Sequence, residues 1–273
     1  MIPQKIHFCW FSDDPYSEIV EQCIASWKHY MPTFEIVKWD MNRIECIDSI
    51  WLKECLSVKK WAFATDFVRL WAIYHEGGIY LDSDVLLHGS LEQYCQEKMF
   101  IGREDVYYTT LDAGAQVFLT SHCFGAETGH AFVKLCLDYY QGRHFIASTS
   151  KNVPNELRYD MLMMPYIQCR LAEHYGYDAR VGANHIQHLS NDVTVYPSKI
   201  YGRCQDSFWK FGSIAEHIGC GSWREPKCGY REENHGADKY TIGYKIRWRI
   251  KYLLDKFLAH HNYLLVKIHD EKK

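Results

Sequence analysis

The sequence contains no C-x-x-C pair, although its 273 residues include eleven cysteines between Cys9 and Cys228. Secreted disulfide frameworks are shorter than this chain and denser in cysteine, so we interpret the cysteines as small, reduced and buried thiols. No apolar run is long enough to cross a bilayer, and Met1 leads directly into a strand-like segment without a signal peptide. These absences predict a cytoplasmic protein.

The sequence also lacks an excess of positive charge, because its formal net charge is -3. Nucleic acid is therefore excluded as a partner bound by overall electrostatics. A hydrophobic fraction of 47% with 24% charged residues is typical of a folded protein, and the length suits one α/β domain. The aromatic fraction of 15% suits a cleft that stacks on sugars and nucleobases, and it also suits an ordinary large core.

The hydrophobic pattern alternates between strand and helix periods along the chain. Strands are predicted over residues 2–10, 34–39, 79–81 and 116–124, and helices over 19–27, 44–56, 59–74, 131–140 and 158–175. Pro165 is expected to kink or split the last helix. This order predicts right-handed crossovers and a mainly parallel, Rossmann-type sheet. Ligands bind such sheets beyond the carboxyl ends of the strands, where Trp10 and Asp82 lie.

Two carboxylates, Asp82 and Asp84, follow a short apolar strand with Ser83 between them. Like charges so close together repel, and a divalent cation relieves the repulsion. Oxygen ligands suit Mn²⁺ or Mg²⁺, and either ion would also bind a diphosphate. As a bare tripeptide, the same pattern is more often a solvated turn.

The surrounding motifs resemble the DXD-motif sugar-transferase family. They are IPQKIHFCWF at 2–11, the helix end SWKHYMP at 26–32, ATDFVR at 64–69 and GGIYLDSD at 77–84. This family includes bacterial capsule and O-antigen enzymes and yeast initiating mannosyltransferases, with the glucosyltransferase domains of large clostridial toxins as more distant relatives. The resemblance implies a GT-A-like α/β catalytic domain, which we predict over residues 1–238, followed by a basic amphipathic helical segment over 239–273.

The resemblance also implies a role for each matching residue. Trp10 matches the aromatic that stacks on the nucleotide base, and Asp66 and Arg69 match a helix pair that contacts the donor sugar and phosphates. Asp82 matches the carboxylate on the ribose and donor sugar, and Asp84 the one bound to metal. The implied catalytic residues are Asp66, Arg69 and Asp82. The implied donor-binding residues are Phe8, Trp10, Thr65, Asp66, Arg69, Tyr80, Asp82, Ser83, Ser222 and Trp223.

Two of these assignments have structural alternatives. Asp66 and Arg69 lie at i and i+3, so they could form a salt bridge on the helix surface. The apolar residues Phe63, Phe67 and Leu70 surround them and favour a buried site. Tyr80 could be a strand aromatic that only packs.

The third metal ligand is expected far along the chain. The segment EHIGCGSW at 216–223 resembles the late His-x-x-x-x-Ser-Trp segment of the family. The implied metal ligands are therefore Asp82, Asp84, His217 and Ser222. Trp223 is expected in a loop that closes over the phosphates.

The family retains the configuration of the transferred sugar, and this sequence shows no clear nucleophile. We therefore expect internal return, in which the leaving phosphate accepts the proton of the acceptor hydroxyl, with a covalent intermediate on Asp112 as the alternative. The resemblance favours a UDP-sugar donor and a glycan or lipid-linked saccharide acceptor in bacterial surface polysaccharide synthesis. Residues 120–122 replace a segment that usually carries an asparagine, and 106–116 looks like a longer insertion, so the donor sugar stays open.

The stretch from Tyr244 to Lys256 is basic, aromatic and apolar. This composition is typical of a helix on an anionic membrane surface, which would place the protein at the inner face of the cell membrane. A helix docked on the domain with charged rims is the alternative.

Three other functions fit parts of the sequence. A metal-dependent nucleotide-sugar hydrolase would share the donor site, whereas a glycoside hydrolase needs carboxylates on opposite sides of a cleft. A nucleotidyltransferase would need a Gly-rich phosphate loop, which the sequence does not resemble. A zinc-binding module could use Cys204, His217, Cys220, Cys228 and His235, although their spacing lacks a C-x-x-C knuckle.

Overall fold

The structure, a computed structural model, describes residues 1–104, 108–110, 114–150, 152–153, 155–201, 203–204 and 214–219. Within these residues, helices cover both faces of a central sheet, which confirms the predicted α/β class. No helix in this part of the chain is long and apolar enough to cross a membrane. The predicted domain boundary at 238 and the helical segment 239–273 lie outside the described residues.

Seven of the described strands form the central sheet, and five of the seven run in the same direction. The strands are β1 (Lys5–Cys9), β2 (Glu35–Trp39), β3 (Gly78–Leu81), β4 (Val85–Leu87), β5 (Met99–Arg103), β6 (Tyr108–Thr110), β7 (Gly114–Gln116), β8 (Leu119–Ala126), β9 (Gln187–His188), β10 (Val193–Tyr196), β11 (Arg203–Cys204) and β12 (Ala215–His217). The order is β2-β1-β3-β8-β5-β10-β9, with β8 and β9 opposite to β2, β1, β3, β5 and β10. The sheet is mainly parallel, as predicted. A smaller sheet has the order β11-β12-β4, and β6 pairs with β7.

The helices fill the connections between these strands. They are α1 (Glu18–Tyr30), α2 (Met41–Ile44), α3 (Ile50–Ser57), α4 (Trp61–Glu76), α5 (Ala131–Asp138), α6 (Asn155–Arg158), α7 (Met164–Glu173) and α8 (Ser198–Tyr201), with a 3-10 helix at Glu92–Gln96. Parallel neighbours in a sheet need such crossovers, because a tight turn can join only antiparallel strands.

Alternate residues of the central strands enter two separate cores. In β3, Ile79 and Leu81 pack in the core that includes Trp27 of α1, whereas Tyr80 packs in the core formed with α4. Side chains at i and i+2 of a strand share one face. Asp82 therefore emerges on the Tyr80 side of the sheet, toward α4.

Two predicted helices differ from the observed ones: a side-chain cap divides the first, and the second begins later, at a proline. The segment 44–56 was expected to be one helix, but α2 ends at Ile44 and α3 begins at Ile50. The Ser49 side chain accepts a hydrogen bond from the Leu52 amide and starts the new helix. The helix predicted over 158–175 begins at Met164, and Pro165 lies in its first turn, where its missing N–H leaves no bond broken.

The strand predicted over 116–124 is also divided. β7 ends at Gln116 and β8 begins at Leu119. Between them, the Val117 amide donates to the Ala179 carbonyl at 2.8 Å instead of continuing a ladder with the sheet. The polypeptide therefore leaves the small β6–β7 hairpin before it enters the central sheet.

Gly77 and Gly78 join α4 to the strand that carries the two carboxylates. Gly77 has φ +63° and Gly78 has φ +109°, a region that favours glycine. A Cβ at Gly77 would lie 2.8 Å from the Pro3 ring, and one at Gly78 would lie 2.8 Å from the Lys5 carbonyl oxygen. The glycines thus allow β3 to pack closely beside β1.

His7 fixes the same junction from inside the core. Its Nδ1 accepts a hydrogen bond from Trp39 Nε1 at 3.0 Å, so in the neutral ring Nε2 carries the proton and donates to the Gly77 carbonyl at 2.8 Å. The side chain is fully buried, and this burial lowers the pKa of His7 to about 4.

We expect His7 to make the protein less stable in mild acid. Between pH 6.5 and about 4, the unfolded chain binds a proton at this residue and the folded chain does not. The free energy of unfolding should therefore fall by about 3 kcal/mol as the pH is lowered through this window. His7→Gln should be less stable at pH 7 but should show a shallower decline. Urea unfolding between pH 7.5 and 4 measures both slopes, and equal slopes would contradict the prediction.

Candidate metal and donor site

The two carboxylates Asp82 and Asp84 lie in a tight turn between β3 and β4. The Asp82 amide donates to the His122 carbonyl at 2.9 Å, and the Val85 amide donates back to the Asp82 carbonyl at 3.0 Å. The turn is thus held by the central sheet on one side and begins the small sheet on the other. Asp82, Ser83 and Asp84 are all partly exposed, so they are accessible to a ligand.

His217 reaches this turn through strand pairing. β12 runs antiparallel to β4 with His217 opposite Val85, and the Ile218 amide donates to the Asp84 carbonyl at 3.0 Å. One ligand atom from each of Asp82, Asp84 and His217 lies within 4.8 Å of the others. A divalent cation with ligand bonds of about 2.0–2.2 Å holds its ligand atoms at most about 4.4 Å apart, a range that includes the 3.3 Å between His217 Nε2 and Asp84 Oδ1. The structure therefore brings together three of the four predicted metal ligands.

The local charges favour a cation at this position. His217 Nε2 lies 3.3 Å from Asp84 Oδ1. Partial burial opposes protonation of the imidazole, but the hydrogen bond and charge of Asp84, together with the charge of Asp82, raise the pKa of His217 to about 9. The same carboxylates that favour a proton on His217 would attract a divalent cation in its place.

Arg69 of α4 joins the helix pair to this turn. Its Nη2 lies 3.0 Å from Asp66 Oδ1 and 3.4 Å from Asp82 Oδ1. Its remaining nitrogens donate to backbone, with Nε 3.3 Å from the Thr65 carbonyl and Nη1 2.6 Å from the Ser121 carbonyl. The guanidinium therefore bridges two carboxylates from different elements.

Asp66 and Arg69 are buried, at 8% and 4% exposure, so the pair is not a surface salt bridge. Burial raises the pKa of Asp66 to about 6 against the opposing charge of Arg69. Burial disfavours the charged guanidinium, but the nearby negative charges, led by Asp82, outweigh it and raise the pKa of Arg69 above its usual range. Charges this close and this buried interact strongly.

Tyr80 contributes to the network in addition to packing. Its hydroxyl donates to Asp82 Oδ1 at 2.7 Å, and the Arg69 guanidinium lies 4.7 Å from the centre of its ring. Burial raises the pKa of Tyr80 well above its usual value, so the hydroxyl stays a donor. Tyr80 thus fixes one oxygen of Asp82.

Trp10 follows β1 at the same end of the sheet, since β1 and β3 are parallel neighbours with His7 opposite Tyr80. Its Nε1 donates to the Asp14 carbonyl at 3.1 Å, and its ring meets Tyr16 edge-on with centroids 5.1 Å apart. Phe8 is buried against Trp27 and Tyr16, one layer below this aromatic pair. Tyr16 is a neighbour that the sequence prediction omitted.

Some of the predicted site residues lie outside the described residues. They are Ser222 and Trp223 of the late segment and Asp112, the alternative nucleophile. Of the zinc alternative, Cys220, Cys228 and His235 also lie outside. Among the described residues, the group that could hold an ion combines two carboxylates with one imidazole. This group contains no thiolate, so it differs from the cysteine-based zinc site of the alternative.

The sequence prediction missed Ser121 and His122 of β8. The Ser121 carbonyl accepts from Arg69, and the His122 carbonyl accepts from the Asp82 amide. Backbone contacts leave no motif in the sequence. The one signal was the departure from the family pattern at residues 120–122.

One family model matches the part of the chain that carries the motif. Residues 17–101 match the family model described as "Glycosyltransferase sugar-binding region containing DXD motif". No curated protein matches the chain. Solved structures to which the chain is similar include PaToxG Glycosyltransferase, with 16% identity over 63% of this chain and 69% of that one and a TM-score of 0.42.

A second solved structure is a glycosyltransferase involved in the glycosylation of the major capsid of PBCV-1, with 9% identity over 80% of this chain and 94% of that one and a TM-score of 0.42. A third is the glycosyltransferase GlyE in Streptococcus pneumoniae TIGR4, with 8% identity over 98% of this chain and 64% of that one and a TM-score of 0.43. The family model matches the span that carries Asp66, Arg69, Asp82 and Asp84. The match over residues 17–101 therefore agrees with the resemblance that the sequence motifs carry.

Proposed function

We propose that the protein is a metal-dependent, retaining glycosyltransferase that moves a hexose from a UDP-sugar to a saccharide acceptor. The observation that supports it best is the convergence of Asp82, Asp84 and His217, with ligand atoms within 4.8 Å, beside the buried Asp66–Arg69 pair. Retention and the UDP-hexose donor rest on the family resemblance.

Asp82, Asp84 and His217 would hold Mn²⁺ or Mg²⁺, with Ser222 as a further proposed ligand. The fit is supported by the 3.3 Å separation between His217 Nε2 and Asp84 Oδ1, which adjacent ligands of one ion can adopt. When bound, the ion supplies Lewis-acid neutralisation of the charge that develops on the diphosphate leaving group.

The residues on the α4 side would orient the donor. Arg69 holds the carboxylates of Asp66 and Asp82 in fixed positions. Tyr80 occupies one oxygen of Asp82, which leaves the other oxygen for the cation and for the ribose or sugar hydroxyls. Arg69 would also supply positive charge near the diphosphate. Such fixed charges act without reorganising during bond cleavage.

The transfer itself would proceed by internal return. The bond between the anomeric carbon and the phosphate oxygen breaks with its electron pair on the phosphate. The acceptor hydroxyl then attacks the same face, and its proton passes to that phosphate oxygen. Trp10 would stack on the base, and Thr65, Ser83 and Trp223 would complete the donor site.

A nucleotide-sugar screen tests the proposal and separates it from the hydrolase alternative. UDP-galactose, UDP-glucose and UDP-N-acetylglucosamine are incubated with the protein and Mn²⁺, with or without saccharide acceptors, and UDP release is followed. We expect release that EDTA abolishes and that an acceptor accelerates. Metal-dependent release that no acceptor changes would indicate a hydrolase, and release that survives EDTA would contradict the metal site.

We further propose a lipid-linked acceptor in bacterial surface polysaccharide synthesis, and binding of the basic 244–256 segment to the inner face of the cell membrane. On an anionic surface, each Lys or Arg would contribute about 1 kcal/mol, less in high salt. Replacing Lys245, Arg247, Arg249 and Lys251 with Gln should therefore release the protein from vesicles that contain an anionic lipid, while turnover on a soluble acceptor persists. Co-sedimentation at low and high salt measures this, and wild-type protein that stays in the supernatant at low salt rejects membrane binding.

A further inference from the structure

His122 contacts both the Asp82–Asp84 turn and His217 from the central sheet. It lies on β8 in the central sheet and is 3% exposed. Its carbonyl accepts the Asp82 amide at 2.9 Å, and its ring stacks on the His217 ring, with centroids 4.4 Å apart and planes 17° from parallel. The DXD turn and the late strand β12 are far apart in sequence, and this one residue contacts both.

The orientation of the His122 ring is fixed. Its Nε2 lies 2.8 Å from the Tyr201 carbonyl oxygen, which can only accept, so Nε2 carries a proton and donates it. Its Nδ1 lies on the side of Glu104, 3.8 Å from Oε1, a distance too long for a direct hydrogen bond. A central strand and one hydrogen bond thus hold the ring face against His217.

His217 needs such support because its own setting is less constrained. It ends the three-residue strand β12, and its side chain is 31% exposed. An imidazole at the end of a short strand can rotate away from Asp84, and ordering it at the moment of binding costs conformational entropy. A flat, buried surface beneath the ring removes part of this freedom before a ligand arrives.

We propose that His122 is a positioning residue for the metal site, whose ring holds His217 in the orientation in which Nε2 faces Asp84. The inference rests on the proposed function, since it concerns the same site, but it assigns a role that the DXD motif does not contain.

Three substitutions separate the ring from the other contacts of His122. His122→Phe keeps a flat ring beneath His217 but loses the bond to Tyr201. His122→Leu fills the space without a flat ring, and His122→Gln keeps a donor for Tyr201 without a ring. The backbone bond from Asp82 to residue 122 persists in all three, so the comparison isolates the stacked ring.

Electron paramagnetic resonance measures the affinity for Mn²⁺ in the presence of UDP. Pulsed experiments on the same samples detect imidazole nitrogen coupled to the bound ion. Thermal unfolding checks each fold. We expect the wild-type protein to bind Mn²⁺ with imidazole coupling that His217→Ala abolishes. His122→Leu and His122→Gln should bind about tenfold more weakly with reduced coupling, whereas His122→Phe should stay within about threefold of wild type.

The outcomes distinguish the positioning role of His122 from the metal site itself. Folded His122→Leu or His122→Gln that binds Mn²⁺ like wild type overturns the positioning role and leaves the proposed function intact. An equal loss in all three variants, His122→Phe included, also overturns it, because the ring then makes no difference. Wild-type protein without imidazole-coupled Mn²⁺ overturns the metal site itself.

Discussion

Replacing Asp84 with alanine is expected to abolish Mn²⁺-dependent binding of UDP and to lower turnover by about a thousandfold, which corresponds to about 4 kcal/mol of charge stabilisation in the transition state. The substitution removes one of three converging ligands and the carboxylate closest to His217. The fold should persist, because Asp84 lies in a partly exposed turn. The Ile218 amide donates to the backbone carbonyl of Asp84, and this hydrogen bond does not involve the Asp84 side chain. Turnover and Mn²⁺ affinity are measured on the same preparation.

Asp48→Ala provides the control for this prediction. Asp48 also precedes a regular element, but its side chain is 93% exposed and pairs with Lys53 at the surface. We expect this variant to behave like wild type in both assays. Asp84→Ala with unchanged metal-dependent affinity for UDP would remove Asp84 from the site.

Replacing Arg69 with alanine is expected to lower the free energy of unfolding by about 3–5 kcal/mol, because it leaves a buried carboxylate without its cation. Asp66 is 8% exposed and Arg69 is 4% exposed, and Asp82 loses the same partner. Turnover, measured well below the unfolding temperature, should fall by more than the affinity for UDP, since these groups act while the sugar–phosphate bond breaks. Urea unfolding and steady-state kinetics give the two quantities.

The chain contains a matched control on α7. Arg170 and Glu173 form the same i, i+3 pair at 2.8 Å, but their side chains are 37% and 26% exposed. Arg170→Ala should lower the free energy of unfolding by at most about 1 kcal/mol and leave turnover unchanged.

Asp66→Asn separates charge from shape at the same position. It removes the negative charge and keeps the size of the side chain. Because the charge is proposed to act while the sugar–phosphate bond breaks, turnover should again fall by more than the affinity for UDP. Normal kinetics in both Asp66→Asn and Arg69→Ala would show that the pair serves only the fold.

The fold was predictable wherever a hydrophobic period was sustained. The α4 helix and the β3 strand were recognised because Gly77 and Gly78 separate a 3.6-residue period from a short apolar run. The errors came at helix starts, since the Ser49 cap divides one predicted helix and Pro165 lies in the first turn of another instead of kinking it. A side-chain cap outweighs an apolar pattern that continues across it.

The candidate site was predictable to the extent that side chains create motifs. The pairing of β12 with β4 places His217 beside Asp84, although the periodicity gave no indication of this pairing. The roles of the Ser121 carbonyl and the His122 ring depend on the position of β8 beside β3. Contacts between strands that are distant in sequence follow from the sheet order, which local patterns do not determine.

Calorimetric titration of UDP into the wild-type protein, once with Mn²⁺ and once with excess EDTA, tests the central claim most directly. If Asp82, Asp84 and His217 hold a cation that binds the diphosphate, UDP should bind at least about a hundredfold more tightly with Mn²⁺, a difference of about 3 kcal/mol. Equal affinity for UDP under the two conditions would contradict the claim that these residues form a metal-dependent nucleotide-sugar site.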